Sequence, residues 1–152
     1  MIIDEIVENK RSELEEAMLR TPLDRVAEVA RRAPSPLSLA AAIRGRKVKL
    51  IAEVKKASPS RGVICRDFDP VRIASAYADN GAAAISVLTE SKYFQGRLSY
   101  LQSIKYLLKA RKLPLIRKDF IIHPYQVYEA RAYGADSLLL ITSLLDDVLL
   151  RE

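Results

Sequence analysis

The chain has 152 residues, of which 49% are hydrophobic and 29% charged, with a formal net charge of +6. This composition is that of an ordinary globular protein and excludes disordered and fibrous classes, and the single cysteine, Cys65, excludes an intrachain disulfide and suits a reducing cytoplasm. The basic balance favours an anionic small substrate; no basic run is interleaved with aromatic residues, so no nucleic-acid partner is expected. The opening Met1-Ile2-Ile3-Asp4-Glu5 carries acids where a secretory leader carries bases. No apolar run approaches the roughly 20 residues of a membrane span, so no membrane partner is expected.

Residues 3–18 read as an amphipathic helix, with Ile3, Ile6, Val7, Leu14 and Met18 at helical spacing. A second short helix is predicted over 22–32 and a third over 38–43, separated by Pro34 and Pro36. From Val48 the pattern changes to strand, loop, helix, repeated. Strands are predicted at 48–54, 83–88, 114–118 and 137–142. A long loop follows the first of them, running through Pro59, Gly62 and Asp67. Asp69-Pro70 is a strong helix start, and Asn80-Gly81 a natural stop. Further helices are predicted over 99–110, from His123-Pro124 to Tyr133-Gly134, and from Asp146 onward.

The strands are apolar with little alternation, which suits parallel strands buried on both faces and joined by helical crossovers. No Gly-x-Gly-x-x-Gly turn follows a strand, which disfavours a dinucleotide fold. The expected fold is α/β, of the TIM (β/α)8-barrel type. A complete barrel takes about 250 residues, so 48–152 reads as its first half, with about four parallel strands. Residues 1–47 read as a helical extension before it.

Polar residues gather where the predicted strands end: Glu53 and Lys55, Thr89 and Glu90, Lys118 and Asp119, Thr142 and Ser143. A barrel carries its reacting groups on that rim. Ile116, Lys118 and Phe120 share a strand face. If that face is inward, Lys118 lies in a partly dry apolar pocket and becomes a usable proton donor, or the amine of a Schiff base. If it faces the helices, the side chain snorkels to water. Glu53 and Lys55 likewise read either as a structural ion pair or as reacting groups. His123 reads as part of a helix start. One histidine and one cysteine make a metal site improbable.

Four segments in order carry a resemblance: Glu53-Val54-Lys55-Lys56-Ala57-Ser58-Pro59-Ser60-Arg61-Gly62, Ser86-Val87-Leu88-Thr89-Glu90 with Lys92-Tyr93-Phe94-Gln95-Gly96, Arg117-Lys118-Asp119-Phe120-Ile121, and Gly134-Ala135-Asp136 with Leu138-Leu139-Leu140-Ile141. Together they resemble the indole-3-glycerol phosphate synthases, barrel enzymes of tryptophan biosynthesis. That resemblance implies a carboxy-lyase without cofactor or metal. Its substrate is 1-(2-carboxyphenylamino)-1-deoxyribulose 5-phosphate, closed to a ring, decarboxylated and dehydrated. It implies Lys118 as general acid, Lys55 as anion binder and candidate acid for dehydration, and Glu53 as the group that orients and polarises. Ser58 would contact substrate, and Phe94, Phe120 and Leu139 would line the aromatic-ring pocket. A strand-five glutamate, a strand-six asparagine and a phosphate cradle belong to the family's second half. The resemblance therefore leaves a second reading, a non-catalytic half-barrel that acts by self-association through open strand edges or by pairing with a complementary half. A different phosphosugar barrel enzyme with Lys118 as a Schiff base is a third.

Overall fold

The computed structural model describes residues 1–151. Three helices open the chain: α1 (Ile2–Arg20), α2 (Leu23–Arg32) and α3 (Leu39–Ile43). Asp4 and Glu5 lie in the first turn of α1 and Arg20 in its last, matching the helix dipole. Strand β1 (Ile51–Val54) follows, then α4 (Pro70–Asp79), β4 (Ala84–Leu88), α5 (Leu98–Leu108), β5 (Leu115–Lys118), α6 (Tyr125–Ala132), β6 (Ser137–Leu138) and α7 (Asp147–Arg151). Between β1 and α4 the chain adds a small antiparallel hairpin, β2 (Ala57–Ser58) and β3 (Gly62–Val63).

The sheet order is β1-β4-β5-β6, all parallel, each strand beside the next in the chain. No reversal of order occurs among these strands, so the switch point of a doubly wound sheet is missing from the described residues. This is the partial barrel expected from the repeating strand and helix pattern, with a helical N-terminus before it. Residues 50–54, 84–88 and 115–118 are rich in Ile, Val and Leu because one sheet face is packed by helices and the other turns inward.

The core lies between the sheet and its helices. Val54, Ile85, Val87 and Leu115 meet Ala74 of α4, Leu101, Ile104 and Leu108 of α5, and Ala130 of α6, with Ala135 closing one end. Ile104 is fully buried. Ile104→Ala is expected to destabilise the chain by about 2–5 kcal/mol, read as a lower urea midpoint with an unchanged slope.

Cap chemistry sets the helix ends. The Asp69 carboxylate accepts from the Val71 and Arg72 N–H groups at 2.9 and 3.0 Å, and Pro70 takes the first helical position. α2 packs on α6, and the segment after it is tied down by Asp136. That carboxylate, whose side chain is fully buried, accepts from the Leu37 N–H at 2.9 Å and the Leu115 N–H at 2.8 Å, and pairs with Lys105 at 2.6 Å.

All four strands of the parallel sheet are shorter than predicted, β4 and β5 by a single residue and β1 and β6 by more. β1 starts at Ile51 rather than Val48, which is fully exposed. Its one neighbour among the described strands is β4, and their pairing begins at Ile51↔Ala84; the Ala83 N–H still donates to the Leu50 carbonyl at 2.8 Å, and the ladder goes no further toward Val48. β6 stops at Leu138 rather than Thr142. It pairs only with β5, which itself ends at Lys118. The Leu139 N–H still donates to the Arg117 carbonyl at 3.1 Å, after which the chain winds into a 3₁₀ turn at Thr142–Leu144. The hairpin was expected to be open loop. Its Pro59-Ser60-Arg61-Gly62 turn works because Gly62 sits at φ +62°, where a side chain is strained.

Candidate active site

Strand alternation sorts the rim residues onto two faces. Ala52, Val54, Ile85, Val87 and Leu115 face the helices, so Glu53, Ser86, Leu88, Ile116 and Lys118 face the other way. Glu53 pairs in register with Ser86, and Ser86 with Ile116. One step nearer the rim, Leu88 pairs with Lys118, and Leu139 follows Leu138, the partner of Arg117. Lys118 therefore stands between Leu88 and Leu139 on the inward face. It is half-buried, and no ion pair among the described residues involves it.

Glu53 and Lys55 lie on the same face and meet, with Nζ 3.3 Å from Oε1. Both side chains are about one-third exposed, at 34% and 36%. Water screens such a pair, so it holds β1 only weakly and leaves both groups open to a ligand. The Tyr77 hydroxyl donates to the Glu53 carbonyl at 3.2 Å, pinning the strand end to α4. Phe94 and Phe120 come together from two different loops, their rings 6.3 Å apart and tilted by 43°. Ser58 is half-buried at the end of β2, where its backbone pairs with Gly62. Leu139 is 36% exposed.

Not every polar residue at a strand end joins this face. Thr89 and Asp119 point to the helix side with Arg117 and form a closed network. The Thr89 hydroxyl donates to Asp119 at 2.6 Å, and Arg117 reaches Asp119 at 3.0 Å and Glu129 at 2.9 Å. Lys10 of α1 completes it, 3.2 Å from Asp119 and 2.7 Å from Glu13. Burial works against the Asp119 carboxylate, but Arg117, Lys10 and hydrogen bonds from Thr89 and the Phe120 N–H outweigh it and hold its pKa below the usual value. Burial likewise works against the Lys10 ammonium, and Asp119 and Glu13 together outweigh it, so its pKa is raised. Thr142 and Ser143 are exposed in the 3₁₀ turn, beyond the ladder. The rim expected from sequence is thus two sets of charges back to back: Glu53, Lys55 and Lys118 inward, and Arg117 and Asp119 outward.

One buried charged residue beside the rim, Lys10, escaped the reading of the sequence, and a second, Glu90, was named without its role. Lys10 occupies a stripe position, four residues after Ile6 and four before Leu14, and that spacing marks a buried cation. Glu90 was grouped with the rim, but its side chain folds back into the following turn and is fully buried. His123 behaves as expected: its Nδ1 accepts from the Tyr125 N–H at 3.1 Å at the start of α6. No helix among the described residues is long and apolar enough to cross a membrane. Among the same residues no group of three or more His, Cys, Asp or Glu side chains is placed to hold a metal ion.

The family model described as "Indole-3-glycerol phosphate synthase" matches residues 3–152. The indole-3-glycerol phosphate synthase of Dehalococcoides mccartyi (strain CBDB1) is 52% identical over 153 residues, covering 100% of this chain and 59% of the relative. That of Roseiflexus castenholzii is 51% identical over 150 residues, covering 96% of this chain and 56% of the relative. That of Chlorobium phaeovibrioides is 50% identical over 143 residues, covering 93% and 54%. The chain spans a little over half the length of the relatives it matches. Matching the family model over nearly all its length, with its four strands in barrel order and helices before them, the chain belongs to the indole-3-glycerol phosphate synthase family.

Proposed function

We propose that this chain supplies the first half of an indole-3-glycerol phosphate synthase site. It acts on 1-(2-carboxyphenylamino)-1-deoxyribulose 5-phosphate in the cytoplasm, in tryptophan biosynthesis, with no cofactor or metal. The observation that carries the reading is Lys118. It is a cation with no ion-pair partner among the described residues, held between Leu88 and Leu139 on the same face as Glu53 and Lys55. The other cation of that strand, Arg117, is locked between Asp119 and Glu129.

Each residue has a role that follows from its chemistry. Lys118 gives a proton to the substrate carbonyl oxygen as the aromatic carbon attacks the carbonyl carbon. A preformed cation aimed at that developing oxyanion lowers the barrier. The bond to the carboxylate then breaks, releasing carbon dioxide and returning its electron pair to the ring. The new hydroxyl leaves as water after a second protonation, and the neighbouring carbon that carries the nitrogen gives up a proton to solvent as the indole double bond forms. Lys55 binds the anionic substrate and is the candidate donor for that second proton. Glu53 orients Lys55 and polarises the reacting groups. Ser58 contacts substrate from the hairpin, and Phe94, Phe120 and Leu139 line the slot for the planar ring. We read 1–47 as the extension and 48–152 as the barrel part. The test is fluorescence-monitored formation of indole-3-glycerol phosphate by the purified chain, alone and mixed with the C-terminal segment of a relative. Product in neither case, from folded protein, removes this reading.

A second reading has one observation in its favour. β1 and β6 each pair on one side only among the described strands, and Ile51, Leu139 and Leu140 beside them are at least one-third exposed. Such edges invite another strand. We propose that this chain self-associates through them, closing edge on edge. It is expected to sediment as a dimer, and addition of the complementary segment should convert the dimer to a one-to-one complex. A chain that stays monomeric at every concentration removes this reading.

A further inference from the structure

We infer that Glu90 is a positioning residue: its buried carboxylate folds the 91–96 turn and thereby holds Phe94 against Phe120. The inference deepens the reading of that aromatic slot and rests on it.

Glu90 lies two residues past the end of β4 and is fully buried. A buried carboxylate is costly unless its lone pairs are filled. No ion pair among the described residues includes it. Its partners are instead three successive backbone donors: Lys92 N–H at 3.1 Å on Oε1, and Tyr93 and Phe94 N–H at 2.7 and 2.8 Å on Oε2. Consecutive N–H groups converging on one anion form a nest, in which the charge and the turn specify each other. The Glu90 carbonyl then accepts from the Gly96 N–H at 2.7 Å, closing the turn.

The far side of the turn is equally constrained. Gln95 takes φ +52°, a conformation unusual for a side-chain residue. A Cβ on Gly96 would lie 2.3 Å from the Leu88 carbonyl oxygen and 2.9 Å from that of Glu90, so nothing larger than glycine fits. Outside, the Ser91 hydroxyl donates to Glu13 of α1. Phe94 therefore has its own N–H fixed by Glu90 and its next two residues locked, and its ring is delivered 6.3 Å from Phe120. If Glu90 served stability alone, its loss would act on the whole fold and not on the ring in particular.

The test uses Glu90→Gln, which keeps the size but replaces one acceptor oxygen with a donor facing N–H groups. Hydrogen exchange at the 92–94 amides is expected to rise about ten-fold or more, with the β4 and β5 amides unchanged. The Phe94–Phe120 ring cross-peaks should vanish. Anthranilate (2-aminobenzoate), followed by its own fluorescence, should bind about ten-fold more weakly. Phe94→Leu should weaken anthranilate to a similar degree without raising exchange, and E90Q added to F94L should weaken it little further. Additive losses, unchanged exchange at 92–94, or retained ring cross-peaks each overturn the inference. If the unsubstituted chain does not bind anthranilate, the slot reading fails, and the exchange and cross-peak arms decide the role of Glu90 alone. Should E90Q not fold, Glu90→Asp takes its place, since it keeps the charge but shortens its reach, with the same effects at lower amplitude.

Discussion

Lys118→Ala is expected to lower indole-3-glycerol phosphate formation by about 10²–10⁴-fold, in whichever assembly of the chain shows activity. The size follows from the proposed role: the proton donor and the cation facing the developing oxyanion would go together, and neither neighbour, Leu88 or Leu139, can replace them. Lys118→Arg separates the two. A guanidinium keeps the charge but gives up a proton far less readily. A rate that stays within about ten-fold of K118A assigns the loss to proton transfer. Near-full recovery assigns it to charge alone. Because Lys118 has no ion-pair partner among the described residues, the substitution should leave the unfolding free energy unchanged within about 0.5 kcal/mol. Borohydride reduction in the presence of substrate should leave no adduct on Lys118; an adduct would instead support Schiff-base chemistry.

The largest loss of stability is expected at Asp119. Its carboxylate is 3% exposed and holds together Arg117, Lys10, Thr89 and the Phe120 N–H. Asp119→Ala takes one of two carboxylate partners from each of two buried cations, leaving Lys10 with Glu13 and Arg117 with Glu129, and should cost about 3–5 kcal/mol, measured by urea unfolding. Lys10→Met removes one of those cations along with the tie to α1. The double variant should therefore lose less than the two single losses combined.

The same network has a pH signature on both sides of neutrality. Asp119 and Glu13 have folded pKa values below 3.8 and 4.5 respectively. Their contribution is fully present above those values. As the pH falls through them the unfolded chain takes up protons first, and the contribution is lost by the time the folded groups titrate. Lys10 is raised above 10.5, so its contribution is complete below that pH and is lost as the pH rises through the folded value. Unfolding midpoints measured from pH 2 to 11 should therefore fall at both ends for the unsubstituted chain. K10M should flatten the alkaline fall, and flat ends in the unsubstituted chain would refute the network's role.

What the sequence makes legible is whatever periodicity controls. Four parallel strands, the Asp69-Pro70 helix start and the Asn80-Gly81 stop follow from patterns a few residues long. So does the placement of Glu53, Lys55 and Lys118 on one strand face, given that the strand is known. Which face is inward is settled by packing, through Val54, Val87 and Leu115 in one core with α4 and α5, and short-range pattern carries no sign for that choice. The Lys10–Asp119 contact spans the chain from α1 to the end of β5, so only the stripe position of Lys10 hinted at it. Strand lengths were overestimated most where a strand pairs on one side only, since apolar residues such as Val48 and Ile141 satisfy the pattern without a partner. Glu90 was placed at a strand end with no partner assigned, because a carboxylate turned onto its own chain looks in sequence like any other polar residue of a rim.

The alternation along β5 has a further consequence for how this segment tolerates change. Arg117, Lys118, Asp119 and Phe120 alternate between the buried ion network and the face proposed to meet substrate, one residue at a time. Point substitutions therefore damage one function or the other and can be repaired singly. A one-residue insertion or deletion ahead of Arg117 does something different in kind. It would exchange the two sets, turning the ion network into the open barrel and driving Lys118 into the helix interface. The segment is editable letter by letter but not by spacing, so libraries built on this chain should vary residues 115–120 at fixed length and place length variation in the exposed turns.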